Sequence, residues 1–233
     1  MASASLREIA PDLWVTERPL RFFGAEVGTR MTVVRLQPGG ALWLHSPVAL
    51  DPGLRKELDA LGPVRFVVAP NRFHHLYAGD YVSAGPEVEL FAAPGLPEKR
   101  RDLAFHAVLG DEAPAGWAGQ IDQLFFRGAP LANEVVFCHR ASSTLLLTDL
   151  AFNYGPETPP TTRFLLRLID AYDQFGPSRV EKWLVVRDRA AARSCLEQVL
   201  AWDFDRAIVA HGRVLETGAR EALRAGYAWL LEE

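Results

Sequence analysis

The chain is expected to fold as an α/β (α+β) protein, a four-layer αββα sandwich with two mixed sheets face to face and helices outside. Three observations lead there. Short apolar strands recur along the 233 residues, and such strands need cover on both faces. Helical segments separate or follow them. Four of the apolar segments also deliver a polar group at the C-terminal end. Leu42-Trp43-Leu44 ends in His45, and Phe66-Val67-Val68-Ala69 leads through Pro70 to Asn71. Leu145-Leu146-Leu147-Thr148 ends in Asp149, and Ala207-Ile208-Val209-Ala210 ends in His211. Crevices outside strand carboxyl ends are where open α/β sheets bind ligands, so these groups define one expected rim.

Taken in order, Pro11-Asp12-Leu13-Trp14-Val15-Thr16 alternates weakly and reads as a first strand. Ala25 to Arg35 and Ala41 to Leu44 flank the turn cluster Gln37-Pro38-Gly39-Gly40 as a hairpin. From Asp51 to Leu61, Leu54, Leu58 and Leu61 recur at helical spacing, and Gly62-Pro63 closes that helix. The strand Phe66 to Ala69 is therefore reached through a crossover, giving a parallel pair. Asn71 is a suitable N-cap for a helix carrying His74 and His75 in its first turn. Val88 to Ala92 is a strand, Pro94 to Arg101 a loop or short helix, and Gly110 to Gly119, rich in Gly, Pro and Ala, a flexible loop. Ile121 to Phe126, Glu134 to His139 and Thr144 to Leu147 are strands, the last two forming a hairpin. After the loop Asn153 to Pro160, Thr161-Thr162 caps a helix with Phe164, Leu165, Leu168, Ile169 and Tyr172 as its buried stripe. Arg189 to Trp202 and Glu216 to Leu231 are helices, with Ala207 to Ala210 the strand between. No linker divides the chain, so residues 1–233 are expected as one domain built from two similar halves.

Composition narrows the function classes. Hydrophobic content of 49% and charged content of 23% describe an ordinary globular protein. A net charge of −4 gives no electrostatic footprint for nucleic acid. No apolar run approaches a membrane span, and the amino terminus lacks the apolar core of a signal peptide. Cys138 and Cys195 stand alone and read as reduced thiols. The expected partner is therefore a small molecule, with neither nucleic acid nor membrane, and the expected location is cytoplasmic.

The order of these landmarks, with Pro70-Asn71-Arg72-Phe73-His74-His75-Leu76, His45-Ser46-Pro47, Thr148-Asp149-Leu150 and Ala210-His211-Gly212, resembles the metallo-β-lactamase fold superfamily. The resemblance runs from about Leu13 to Leu231. It implies the four-layer sandwich and a metal site at the strand ends. The superfamily's main motif is Thr-His-x-His-x-Asp-His. Laid on this chain, it puts Asn71, Phe73, His75 and Leu76 at ligand positions, so most ligands of a two-metal centre are replaced. Asp149 matches the bridging carboxylate and His211 the last histidine, while His45 stands where the superfamily has an early Asp.

The candidate catalytic and metal-binding residues are accordingly His75, Asp149 and His211, with His45, Asn71, Phe73 and His74 as surrounding or pocket residues. His74 and His75 are neighbours and should point about 100° apart on a helix, so only one is expected to face the site. A near-interior Asp149 requires a partner: a metal, an imidazole, or the backbone N–H groups that follow it. Two functions follow. One is a degenerate site with no cofactor, binding a small molecule or protein. The other is a hydrolase of an ester, amide or phosphate, holding a single zinc or iron ion through the rearranged His/Asp set.

Overall fold

The structure is a computed structural model and describes residues 5–83, 85 and 87–232. Its first half runs β1 (Arg7–Ala10), β2 (Leu13–Arg18), a small hairpin of β3 (Arg21–Phe22) and β4 (Ala25–Glu26), β5 (Thr29–Arg35), β6 (Leu42–His45), α1 (Pro52–Leu61), β7 (Val64–Ala69), α2 (Ala78–Val82), β8 (Glu89–Ala92), α3 (Leu96–Lys99) and β9 (Ala107–Val108). The second half runs β10 (Ile121–Phe125), β11 (Val135–His139), β12 (Thr144–Leu146), α4 (Pro160–Leu168), α5 (Arg189–Leu200), β13 (Arg206–Ile208), α6 (Ala219–Gly226) and α7 (Ala228–Leu231). One sheet has the order β1-β2-β5-β6-β7-β8-β9 and the other β10-β11-β12-β13.

Connection length decides strand direction. The short turn after β5 returns β6 antiparallel, pairing Val33 with Leu44. Helix α1 then carries the chain across, so β7 runs parallel to β6, with Leu44 opposite Val67. Asp51 caps α1 by accepting from Leu54 N at 2.9 Å, and Pro52 opens the first turn. Gly62 ends it at φ +156°, where an added Cβ would lie 2.2 Å from the Gly40 oxygen.

Strand alternation builds the layers. Val34, Trp43, Val68 and Phe91 face Phe137, Leu146 and Ile208 across the space between the sheets. Val33, Leu44, Val67 and Leu90 turn outward onto Leu54 and Leu58 of α1 and Tyr81 of α2. On the other side, Val136, Cys138, Leu145 and Ala207 pack on Ala192, Cys195, Leu196 and Val199 of α5 and Leu223 of α6. This is the αββα sandwich expected from the strand pattern. Each fully buried Leu or Phe contributes about 1.5–3 kcal/mol of transfer free energy. Both cysteines are free and lie in the helix-covered layer.

Several local expectations are refined or corrected. The loop expected over Gly110 to Gly119 is present, with the addition that one of its residues, Trp117, is anchored in the interior. Trp117 is wholly buried, 4.7 Å from the Phe91 ring and 6.0 Å from Trp43, and its Nε1 donates to Gln123 Oε1 at 3.1 Å. Residues 71–77 form turns, and the helix expected from Asn71 begins only at Ala78. The C-terminal helix breaks at Gly226, whose backbone packs against Gly176. In α4 the expected buried stripe holds only toward its C-terminal end, where Ile169 and Tyr172 are partly buried against Tyr154, Leu166 and Ala171. Phe164, Leu165 and Leu168 face outward, while Thr162 and Leu166 are the buried positions.

Candidate metal centre

Four strand ends converge. After His45, Ser46 takes a left-handed φ of 57° and donates its N–H to the Val68 carbonyl, binding the β6 exit to β7. After β7 and Pro70, Asn71 Oδ1 accepts from the N–H groups of Phe73 and His74, each at 2.8 Å. That Asx-type cap winds the turn that aims His74 inward. The parallel neighbours β12 and β13 release Asp149 and His211 side by side. Buried Arg30 of β5 donates to the carbonyls of Val209 and Gly212, on either side of Ala210 and His211. Its other partner is Glu17, at 2.7 Å.

Three side chains meet at this rim. His74 Nε2 and His211 Nε2 stand 3.2 Å apart. Asp149 reaches both, with Oδ2 at 3.4 Å from His74 Nε2 and Oδ1 at 3.5 Å from His211 Nε2. His211 Nδ1 lies 2.8 Å from the Gly28 carbonyl, which can only accept. The Nδ1 proton is thus fixed, and in neutral His211 the Nε2 lone pair points at the cluster. His74 Nδ1 is held by Ser46 Oγ at 2.8 Å. Burial works to raise the Asp149 pKa, but the two neighbouring imidazoles, His74 foremost, outweigh it and hold Asp149 below the usual carboxylate range.

Behind Asp149 lies a network that the sequence reading missed in part. Asn71 Nδ2 donates to Asp149 Oδ2 at 2.5 Å, Thr148 Oγ1 at 2.9 Å and Glu134 Oε2 at 3.1 Å. Fully buried Glu134 also accepts from Thr148 N at 2.7 Å and Asp149 N at 2.8 Å. Burial and the neighbouring Asp149 charge push the Glu134 pKa upward. An acidic residue at the head of the apolar run Val135-Val136-Phe137-Cys138 was the available signal for it. Ser46 and Gly28, which hold the outer nitrogens of the two histidines, left no comparable signal.

The remaining expected residues fall elsewhere. His75, expected with Asp149 and His211, turns away: Arg100 donates to its Nδ1 at 2.9 Å and to its carbonyl at 3.2 Å. His74 takes the place in the group. The expectation that only one of the pair faces the site holds, with the partners exchanged. Burial, with the charges of Lys99 and Arg100, pushes the His75 pKa down to about 4. His45 is buried between Trp43 and Phe137, 5.8 and 5.4 Å between ring centroids, rather than bonded to Asp149. Phe73 is exposed beneath Lys99, whose ammonium lies 5.4 Å from the ring centre. Asn71 sits where the resemblance has a ligand, yet its amide is committed to the carboxylates.

The donor set fits one ion. Zinc bonds nitrogen at about 2.0–2.1 Å, so two corners of a tetrahedral shell lie about 3.3–3.4 Å apart. The observed separations of 3.2, 3.4 and 3.5 Å are of that length. Among the described residues, this is the one group of three or more His, Cys, Asp or Glu side chains whose ligand atoms all lie within 4.8 Å of one another. The ion-pair partners of Asp149 are the two imidazoles alone among the described residues, and Glu134 has no cationic partner among them. A dication would offset those two carboxylates, Glu134 buried and Asp149 half-buried. A cleft of about 500 Å³ lies behind His211, lined by Gly28, Tyr154, Gly212 and Arg213, and does not include His74 or Asp149.

Comparison with solved structures shows the fold. The metallo-β-lactamase DIM-1, crystallised after exposure to ceftazidime, superposes with a TM-score of 0.67 at 14% identity, covering 97% of this chain and 95% of that one. The metallo-β-lactamase FIM-1 from Pseudomonas aeruginosa, in its mono-zinc form, gives 0.63 at 11%, covering 99% and 94%. The metal-soaked flavodiiron core of Flv1 from Synechocystis sp. PCC6803 gives 0.68 at 13%, covering 98% of this chain and 61% of that one. No curated protein matches the sequence. The family description "Domain of unknown function (DUF4336)" matches residues 11–167, and the chain therefore belongs to that family, carried on a metallo-β-lactamase fold.

Proposed function

We propose that the protein is a mononuclear metal-dependent hydrolase of an ester, amide or phosphate, with His74, Asp149 and His211 as ligands of one zinc or iron ion. The observation that carries this reading is the triangle of donor atoms, with the Gly28 carbonyl fixing the His211 tautomer. An outer hydrogen bond of that kind is how ligating histidines are oriented. A bound ion would supply Lewis-acid polarisation of the scissile group and a water activated near neutral pH. The chain's own residues do the positioning. Ser46 and Gly28 hold the outer nitrogens of the two imidazoles. Asn71 holds Asp149 Oδ2, and Glu134 fixes the backbone on which Asp149 is mounted. Asp149 is the most exposed of the three ligands, so the site opens on its side.

A second ion has no place in this reading. Asn71 fills the first ligand position of the two-metal motif with an amide that already has five hydrogen-bond partners. The mono-zinc form of FIM-1 indicates that a single ion is compatible with the fold. The free buried cysteines agree with a reducing, cytoplasmic location, which belongs to the same proposal. The alternative, a metal-free binding module, is favoured by one observation. Asp149 already has imidazole and amide partners that could hold it without an ion.

Elemental analysis of untagged protein decides between the two, followed by hydrolysis assays on aryl esters, amides and phosphates. The expected result is one equivalent of metal, lost in His74→Ala and His211→Ala. No metal after growth with zinc and iron would leave the binding module, and two equivalents would overturn both.

A further inference from the structure

Helix α4 is built inside out. Its two buried positions are Thr162 and Leu166, whereas Phe164 is 63% exposed and Leu168 57% exposed. The wider helical turn Glu181–Val185 has the same character, with Trp183 67% exposed beside exposed Leu184 and Val180. A hydrogen bond of 2.7 Å from Arg179 N to the Ile169 carbonyl joins the end of α4 to the start of that second segment. The β3–β4 hairpin, with exposed Phe22 and Phe23, is fastened to the same helix where Glu26 N donates to Thr162 Oγ1 at 3.1 Å. Exposed aromatic and aliphatic side chains concentrated on tethered elements mark an interaction surface.

Charge identifies the occupant. Between residues 160 and 190 there are six cations and four acids, a net +2 in a chain whose net charge is −4. Three of the acids are engaged: Asp173 pairs with Arg213 at 3.7 Å, Asp188 caps α5, and Glu181 is tied to Ser178. Arg163, Arg167, Arg179, Lys182 and Arg187 have no acidic partner among the described residues. A second copy is disfavoured, because an isologous contact would set these cations against one another. Apolar side chains standing out among unpaired Arg and Lys suit an interface that is soft, apolar beneath and negatively charged at its surface.

We infer that this face docks the protein peripherally on an anionic lipid bilayer, Trp183, Leu184, Phe164 and Leu168 entering the headgroup boundary and the five cations meeting lipid charge. The docking is one of surface contact, and no helix among the described residues is long and apolar enough to cross a membrane. It is independent of the metal centre, since none of these residues touches His74, Asp149 or His211.

The test is flotation of the full-length protein with phosphatidylcholine vesicles, with and without phosphatidylserine, at low and high salt. Binding is expected only to the anionic vesicles, weakened by salt. Arg179→Glu/Lys182→Glu and, separately, Trp183→Ser/Leu184→Ser should each bind about ten-fold or more weakly. All four positions lie on the exposed segment, so unchanged circular dichroism and metal content would separate lost docking from lost folding. Equal binding to neutral vesicles, no binding, or variants that float like the parent would overturn the inference. So would a dimer that disappears with Trp183→Ser/Leu184→Ser, or capture by polyglutamate that vesicles do not match.

Discussion

His74 and His211 face each other Nε2 to Nε2 at 3.2 Å, and each is steered there by a group on its far side, Ser46 for one and Gly28 for the other. The consequence is testable through Ser46. Replacing it by Ala frees the His74 ring, and loss of such an outer partner costs roughly 10–100-fold in metal affinity. His75→Ala, which removes a ring bound to Arg100, should leave metal affinity within about two-fold, well short of that range. Zinc titration with a competing chelator measures both. Equal losses in the two variants would mean that the histidine pair has been assigned the wrong way round.

How much of this was legible depends on the kind of signal. The sandwich could be read because strand alternation and connection length are local properties. Leu42-Trp43-Leu44 and Ala207-Ile208 face where their period puts them. Asp149 and His211 could be placed because they end such strands. The choice between His74 and His75 could not, because it rests on residues 71–77 forming turns capped by Asn71 rather than a helix from Asn71 onward. Glu134 was passed over because its three donors come from residues 71, 148 and 149, and no spacing reveals them. Helix α4 misled for a different reason. Its apolar period is real, but Phe164, Leu165 and Leu168 face outward and only Ile169 and Tyr172 turn toward the core.

Glu134 should prove costly to remove. Its carboxylate is the acceptor for Thr148 N, Asp149 N and the Asn71 amide, all in the interior. Glu134→Ala strands two backbone donors and an amide, at about 1–3 kcal/mol for each group left unsatisfied. Removing a buried charge offsets part of that, so a net loss of roughly 3 kcal/mol is expected. Urea unfolding of metal-free protein reads it. A variant as stable as the parent would show that the network does not fasten the Asp149 segment.

His45 gives a pH dependence of stability. Burial, reinforced by the charge of His74, pushes its pKa down to about 3, and its Nε2 is buried without a partner. The unfolded chain, with an ordinary imidazole pKa of about 6.5, takes up the proton first. Stability is therefore complete above that pH and is lost as pH falls through the window down to about 3. The slope from His45 alone is about 1.4 kcal/mol per pH unit. Buried His75 adds a similar loss over the upper part of that window. His45→Phe keeps a ring against Trp43 and Phe137 and should flatten the slope by His45's share between about pH 6 and pH 5, above the carboxylate range. Urea midpoints across that range would decide, and an unchanged slope would exclude His45 as the titrating group.

Gly212 separates the fold from the site. Its φ is +90°, and an added Cβ would lie 2.2 Å from the Asn153 oxygen and 2.3 Å from the Asn153 carbonyl carbon. That contact exists because Asn153 lies directly on the His211 segment: its N–H donates to the His211 carbonyl at 3.2 Å, and its own carbonyl accepts from Arg213 N at 2.7 Å. Gly212→Ala must therefore adopt a left-handed backbone and also push the two segments apart. The first effect costs about 1–2 kcal/mol, and the second should raise the total above about 3 kcal/mol and displace His211 from His74 and Asp149. Gly24 is the control: its φ is +83° with nothing within 4 Å of an added Cβ, so Gly24→Ala carries the backbone strain alone. Unfolding free energies and metal content should then diverge, with Gly24→Ala mildly destabilised and fully loaded, and Gly212→Ala strongly destabilised and metal-poor even where it remains folded. If Gly212→Ala binds metal like the parent, the close packing of Asn153 against Gly212 is not what holds His211 in place.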